Sequence, residues 1–386
     1  MKILFISPCL PLEYGSGSAI RSYQLYKQLT ALADVDVLTA TNWPIEQAFK
    51  EDFQGTYIGH IKIPVRSSIL KNPGPLSQQL SSLVDLNQYD FVFVRYFNQA
   101  YWLGLFELDK LILDCDDCML EILENEFHDT KRNSLSRLRS YISYRVFKTR
   151  YLKTLQRARS LIYARHSKYS VTLPNAYVIP NRLSPSTARS HQSIDNSTDK
   201  NISVLFVGIL NYAPNIDGVD HFLSRIWPAI LKKHPDTIFT IVGARAKSRT
   251  KRRWQKHPNT IVQGYVRDIE EAYQQADISV VPVYRGGGAH VKVMETLKYA
   301  KPVVLSDESQ RGYRNKIIDG ENAFVALNDQ EFIEKLSRLI DNHNLRKTIA
   351  SNGNELFHQY FSIDAEDPTM RKLLLNQPQT HEVQTK

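Results

Sequence analysis

Cysteine is scarce in this chain of 386 residues: there are three, at positions 9, 115 and 118. A low, odd count argues against a disulfide framework and fits a reducing compartment. Long apolar runs are also missing. No stretch reaches the roughly 18 residues that a transmembrane helix needs. The N-terminal MKILFISPCLP carries one lysine and an apolar run too short for a secretory leader. It reads as a strand, and a soluble, cytoplasmic protein is expected. The sequence has no GxSxG elbow, no Walker A loop and no HExxH pair, so it offers no serine-hydrolase, P-loop or zincin reading. RNA-recognition and zinc-finger signatures are absent too. Apolar residues at 42% and charged residues at 23% exclude a disordered, collagen-like or coiled-coil chain.

The charge that is present is uneven. Lys and Arg outnumber the acids 49 to 40, for a net charge of +9. Residues 131–170 hold twelve Lys/Arg and no acid, and residues 245–256 hold seven and no acid. Outside these two patches the chain is net acidic. Local patches point to an anionic surface or ligand rather than to a general nucleic-acid binder. The first patch lies in a helical pattern over 134–158, with Leu138, Tyr141, Ile142, Val146, Leu152 and Leu155 as its candidate apolar stripe. Its basic face is either a membrane-surface patch or a solvated helix face.

The length suits two domains of fewer than about 200 residues each. Short apolar runs alternate with helical patterns from KILFIS (2–7) through VDVLT (35–39), FVFVR (91–95) and LILD (111–114) to 160–163 and 177–179. The polar run 184–201 reads as a linker. The alternation restarts with SVLFV (203–207) and continues through 237–241, 260–263, 278–283 and 302–305. The expected fold is α/β, with two doubly wound Rossmann-like domains of parallel strands. The N-terminal domain spans 1–183 and the C-terminal domain 202–358. A tail over 359–386 is expected to pack back toward the N-terminal domain. Ligands of such sheets sit outside the carboxyl ends of the strands, which predicts a site in a cleft between the domains.

Three segments carry candidate chemistry. Gly15-Ser-Gly17-Ser lies between the first strand and the first helix, and is either a phosphate or substrate loop or a flexible turn with a Ser cap. The separation from the strand is too long for a dinucleotide-binding turn. Arg285-Gly286-Gly287-Gly288-Ala289-His290-Val291-Lys292-Val-Met-Glu295 follows a strand and opens a helix. Amides at that helix start can hold a diphosphate, Arg285, His290 and Lys292 add positive charge, and Glu295 can accept sugar hydroxyls one turn into the helix. The alternative is a glycine-rich hairpin with a helix-dipole glutamate. Asp114-Cys-Asp-Asp117-Cys118 ends a strand. It is an acidic loop with Cys118 packed inward, an Asp-x-Asp site for a divalent metal that bridges a nucleotide diphosphate, or a substrate contact through Asp116 or Asp117. A lone CxxC is a poor zinc signal, and no metal is expected.

The runs LFVGILNYAPNIDGVDHFLSRIWPAI (205–230), FTIVGA (239–244), VQGYVRDIEEAYQQADISVVPVYRGGGAHVKVMETLKYAKPVV (262–304) and IIDGENAFVALNDQEFIEKLSRLI (317–340) resemble the family 4 glycosyltransferases. The run ISPCLPLEYGSGSAIRSYQLYKQL (6–29) and VIPN (178–181) are similar to that family as well. The subgroup it looks most like carries a GGG-x-x-x-K-x-x-E block and is tied to exopolysaccharide assembly. The resemblance implies a GT-B fold and retaining transfer from a nucleotide sugar, with no metal or other cofactor. It implies that the N-terminal domain binds acceptor and the C-terminal domain donor. Glu295 matches the acid that holds the nucleotide ribose, and the backbone of Ala289, His290 and Val291 matches the phosphate-binding amides. Gly287 stands where the family has a first acid. Ile209 and Asn215 stand where it has an Arg and a Lys, so Lys292, Arg285 or the 245–256 patch would supply the charge. Tyr265 and Val266 fall in the base-binding loop. Gly15 and Gly17 match the glycine loop near the reacting sugar, and Asp117 joins them as a candidate there. The expected partners are a nucleotide sugar, a glycan or lipid-linked acceptor and an anionic membrane surface at the inner face, without nucleic acid. The rival readings are a catalytically inactive nucleotide-binding or scaffold protein of the same fold, and a related two-domain enzyme such as an epimerase or phosphorylase.

Overall fold

The computed structural model describes the chain apart from residues 14–16, 65–73, 117, 129–133, 166–171, 187–200, 267, 286–289, 366–367 and 376–386. It forms two compact units, Met1–Asn181 with Glu366–Lys386, and Arg182–Ala365.

The first unit is built on seven strands: β1 (Lys2–Ser7), β2 (Asp34–Thr41), β3 (Thr56–Lys62), β4 (Phe91–Arg95), β5 (Leu111–Asp116), β6 (Ser160–Tyr163) and β7 (Ala176–Val178). Their order in the sheet is β3-β2-β1-β4-β5-β6-β7, and every pairing is parallel. Alternation along β1 explains why its run is apolar throughout. Leu4 and Ile6 enter one core cluster, while Ile3 and Phe5 enter a second on the opposite face. A parallel sheet covered on both faces needs such continuous runs. The helix Thr369–Leu374 completes the second cluster with Met370, Leu373 and Leu374.

The structure keeps the end of the expected stripe of the basic helix, with Leu155 buried and Leu152 packed against the same cluster, and corrects the rest. The helix runs Ser134–Leu155, but Leu138, Tyr141, Ile142 and Val146 are 45–52% exposed. Its buried face is Tyr144, Phe147, Tyr151 and Leu155. Aromatic packing decides the rotation. Tyr151 and Phe147 sit 4.6 and 5.9 Å from the Phe97 ring, and Tyr144 sits 5.4 Å from Phe127. Rings bury more area per residue than the aliphatic side chains they displace outward.

The second unit has β8 (Ser203–Val207), β9 (Ile238–Val242), β10 (Thr260–Gly264), β11 (Ile278–Val281), β12 (Val303–Ser306) and β13 (Phe324–Ala326). Their order is β10-β9-β8-β11-β12-β13, again parallel throughout. In both units the first strand lies in the interior and the order reverses beside it. That reversal opens a crevice at the carboxyl ends.

Candidate functional site

In the second unit, side chains converge beyond the carboxyl end of β8. The helix Val291–Lys298 starts after His290, whose backbone carbonyl accepts a 3.0 Å hydrogen bond from the Tyr313 hydroxyl. Lys292 and Glu295 are three residues apart, so they share one face of this helix. Lys292 Nζ donates to Asn215 Oδ1 at 2.5 Å, and Asn215 Nδ2 donates to the Ile209 carbonyl at 2.9 Å. The ammonium lies 5.1 Å from the centroid of the Phe206 ring. Burial lowers the Lys292 pKa to about 8, and Glu295 opposes only part of that shift. Glu295 is pushed above the usual carboxylate range by burial, against the pull of Lys292 and Lys298. The Tyr273 hydroxyl donates to Glu295 Oε2 at 3.4 Å.

Two glycines make room for this arrangement. A Cβ at Gly208 would come within 2.8 Å of Asn215 Nδ2 and 3.3 Å of Lys292 Nζ. Gly243 has φ +152°, and a Cβ there would meet the Gly208 carbonyl oxygen at 1.7 Å. Only glycine fits that backbone and that space.

The other expected residues divide into three groups. Arg285 donates through Nε to Asp217 at 2.7 Å, so its charge is already paired. Val266 packs against the cluster that contains Tyr273, which links the loop after β10 to Glu295, while Tyr265 is 73% exposed. Gly286, Gly287, Gly288 and Ala289 lie outside the described residues, as do Gly15 and Asp117. Gly17 opens the helix Gly17–Thr30. Tyr273, Gly208 and Gly243 were not singled out in the sequence. The glycines carried one usable signal, the recurrence of Val-Gly at the ends of β8 and β9.

In the first unit, the sequence reading reached Asp116 but missed its setting. Asp114, fully buried at the end of β5, accepts from Arg21 at 2.6 Å and from Arg95 at 2.9 Å. Arg95 Nη2 also holds Asp116 at 2.8 Å, and Arg21 Nη1 reaches Asn181 Oδ1 at 2.8 Å. The Tyr96 hydroxyl donates to Asp116 at 3.2 Å and lies 2.9 Å from Ser18 Oγ. Burial alone would raise Asp114, but the guanidiniums of Arg21 and Arg95 outweigh it and hold the carboxyl below its ordinary range. Tyr96, just past β4, and Asp116, the last residue of the adjacent β5, have φ of 71° and 56°. Left-handed backbone at a bulky residue costs on the order of 1–3 kcal/mol and gathers at working sites. Cys115 and Cys118 are buried and form no disulfide. Among the described residues no group of three or more His, Cys, Asp or Glu is placed to hold a metal ion.

Comparison with known proteins bears on this geometry. Solved structures align with nearly the whole chain. A glycosyltransferase from Rickettsia africae ESF-5 aligns with a TM-score of 0.64 at 15% identity, covering 97% of this chain and 96% of that one. Anabaena HepE, solved with UDP and glucose, gives 0.65 at 18% identity, covering 94% and 96%. The fold is the two-domain GT-B fold. Residues 201–342 match the family model described as glycosyl transferases group 1, a stretch that contains Asn215, Lys292 and Glu295. The capsular polysaccharide biosynthesis glycosyltransferase CapM of Staphylococcus aureus is 27% identical over 109 residues. That match spans 28% of this chain and 28% of CapM, well under half of either.

Proposed function

We propose that this chain is a glycosyltransferase that moves a sugar from a nucleoside-diphosphate sugar to a glycan or lipid-linked acceptor, with retention, in polysaccharide or glycoconjugate synthesis. The observation that carries the reading is the Lys292–Glu295 face at the start of the helix Val291–Lys298, inside the matched residues 201–342. Glu295 is set to accept hydrogen bonds from ribose hydroxyls. Lys292 and the amides of His290 and Val291 are set to hold a diphosphate. In retaining transfer the protein's main tasks are to position the donor and stabilise the departing diphosphate, and this cation and these amides serve both without a metal or other cofactor. Gly15, Gly17 and Asp117 remain the candidates beside the reacting sugar, and Tyr265 and Val266 those beside the base. The test is release of nucleoside diphosphate from a panel of UDP-, GDP-, ADP- and TDP-sugars, with and without lipid-linked glycan acceptors. Acceptor-dependent release supports the reading. Nucleotide binding without release supports a second one, a non-catalytic nucleotide-binding protein. That alternative draws on Gly287 in the place of the family's first acid and on Arg285 being tied to Asp217.

Lys292 gives the site a pH signature. Its ammonium deprotonates near pH 8 in the free protein, well below an ordinary lysine, because burial disfavours the charge. A nucleoside diphosphate is held by the protonated form, so affinity is expected to fall as pH rises through 8. Calorimetric titration with UDP at pH 6.5, 8 and 9.5 measures this, and Lys292→Arg flattens the profile. A flat profile in the unaltered protein removes Lys292 from the diphosphate site.

The outward face of the helix Ser134–Leu155 supports peripheral docking at the inner face of an anionic membrane. Leu135, Leu138, Ile142 and Val146 are 51–71% exposed there, flanked by the exposed Arg139 and Arg145. A lipid-linked acceptor would sit at such a surface. No described helix is long and apolar enough to cross a membrane. Binding to phosphatidylglycerol vesicles should exceed binding to phosphatidylcholine vesicles at low salt, and Ile142→Asp should weaken it. Equal binding to both vesicle types removes the membrane from the proposal.

A further inference from the structure

The first unit holds a cavity of about 260 Å³ whose lining includes none of Arg21, Arg95, Asp114 and Asp116 but does include Tyr96, the hydroxyl of which donates to Asp116. It opens at the carboxyl ends of β2, β4 and β5, where Thr41, Tyr96 and Cys115 lie. Its polar walls are Thr41, Asn42, Asn98 and Gln99, and its apolar walls include Phe97 and Met119. None of the described residues that line it is charged. That composition disfavours a phosphate or carboxylate occupant, since an anion removed from water needs a cation or several aimed donors. Amides and hydroxyls side by side, each able to donate or accept, match the vicinal hydroxyls of a neutral polyol. The apolar walls match the C–H faces of a ring. The volume falls below the roughly 300 Å³ at which pockets for drug-sized ligands begin, so one ring fits better than an extended chain.

Two further observations favour an occupant. Asn98 Oδ1 and Gln99 Oε1 are buried without a hydrogen-bond partner, in the same wall of the cavity. Unsatisfied buried amide oxygens are rare in a folded protein and call for an explanation. Small rearrangement of either amide on ligand entry would satisfy it with a hydroxyl donor. Tyr96, which lines the cavity, has a left-handed backbone and a hydroxyl held by Ser18 and Asp116. Its ring is therefore fixed in place before any ligand arrives.

We propose that this cavity binds a single neutral sugar ring, the terminal residue of the acceptor. The proposal rests on the transfer reading above, and it makes Asn42, Asn98 and Gln99 the residues that select the acceptor. Full-length protein is tested by saturation-transfer NMR with methyl glycosides of glucose, galactose, mannose and N-acetylglucosamine, with UDP, GDP, ADP and TDP titrated in parallel. At least one glycoside is expected to receive saturation. Asn42→Ala, at a half-buried position, and Gln99→Leu, in the wall, should each lower its affinity at least fivefold and leave nucleotide affinity unchanged. Nucleotide binding with no glycoside signal overturns the cavity proposal and leaves the transferase reading standing. A glycoside signal that both variants leave unchanged overturns it too. Glycoside binding without any nucleotide binding keeps a sugar site in the cavity but overturns the transferase reading and the acceptor assignment that rests on it. Loss of both overturns both.

Discussion

Replacing Glu295 with alanine is expected to weaken nucleoside-diphosphate binding about tenfold to a hundredfold. The carboxylate would accept two ribose hydroxyls, and a hydrogen bond to a charged group is worth roughly 1.5–3 kcal/mol when its partner is left behind. Folding should be little affected. Burial already pushes the Glu295 carboxyl above its ordinary range, so the folded protein holds this charge at a cost, and its removal does not strip a stabilising ion pair. Calorimetry with UDP, GDP, ADP and TDP on both proteins measures the effect, and a melting curve checks the fold. Glu295→Gln keeps one acceptor oxygen and should fall between the two. If alanine leaves the affinity of the cognate nucleotide unchanged, the ribose is held elsewhere and the matched residues 201–342 use a different face.

The largest stability effect is expected in the other unit. Asp114→Ala leaves the guanidiniums of Arg21 and Arg95, both nearly inaccessible to water, without the carboxylate they share. Breaking a buried pair from one side costs on the order of 3–5 kcal/mol, because the stranded charge has neither water nor partner. Two charges lose their nearest carboxylate here, although Asp116 stays within 2.8 Å of Arg95 and 3.5 Å of Arg21 and limits the loss. Denaturant unfolding should show an early transition for Asp114→Ala, while binding of nucleotide to the Lys292–Glu295 face persists. A shift under about 1 kcal/mol would mean that water reaches the cluster. The same pairing sets an acid limit. The Asp114 pKa is depressed in the folded state, so its contribution is complete above the unfolded value near 3.9 and is lost as pH falls through the folded one. Unfolding of the first unit by acid should therefore begin below about pH 4 in the unaltered protein and at higher pH in Asp114→Asn.

The glycine-rich segment shows what linear order can reveal. A strand, then Arg285-Gly-Gly-Gly-Ala-His, then a helical spacing is readable because all its parts lie within a dozen residues. Lys292 and Glu295 were legible for the same reason: their positions on one helix face follow from a separation of three. Asn215 was reached only through the family resemblance, and its hydrogen bond to Lys292 spans 77 residues of chain. β3, TYIGHIK, escaped notice because an edge strand that is mostly half-exposed carries no strong apolar pattern.

The parallel α/β architecture, most of the strand runs and the helix after the glycine-rich segment were determined by the sequence alone, since periodicity and local turn chemistry act between neighbours. Tertiary structure decided the rest. It turned the basic helix so that Tyr144, Phe147 and Tyr151 face inward and Leu138 and Ile142 face water. A spacing of 3.6 residues defines two apolar stripes on that helix equally well, and the Phe97 ring in the core, packed on Phe147 and Tyr151, selects between them. It also gathered Arg21, Arg95, Asp114 and Asn181 from four separate segments into one buried cluster. Each is an ordinary polar residue in its own segment. Their meaning arises from desolvation, which acts on charges that meet in space, however far apart they stand along the chain.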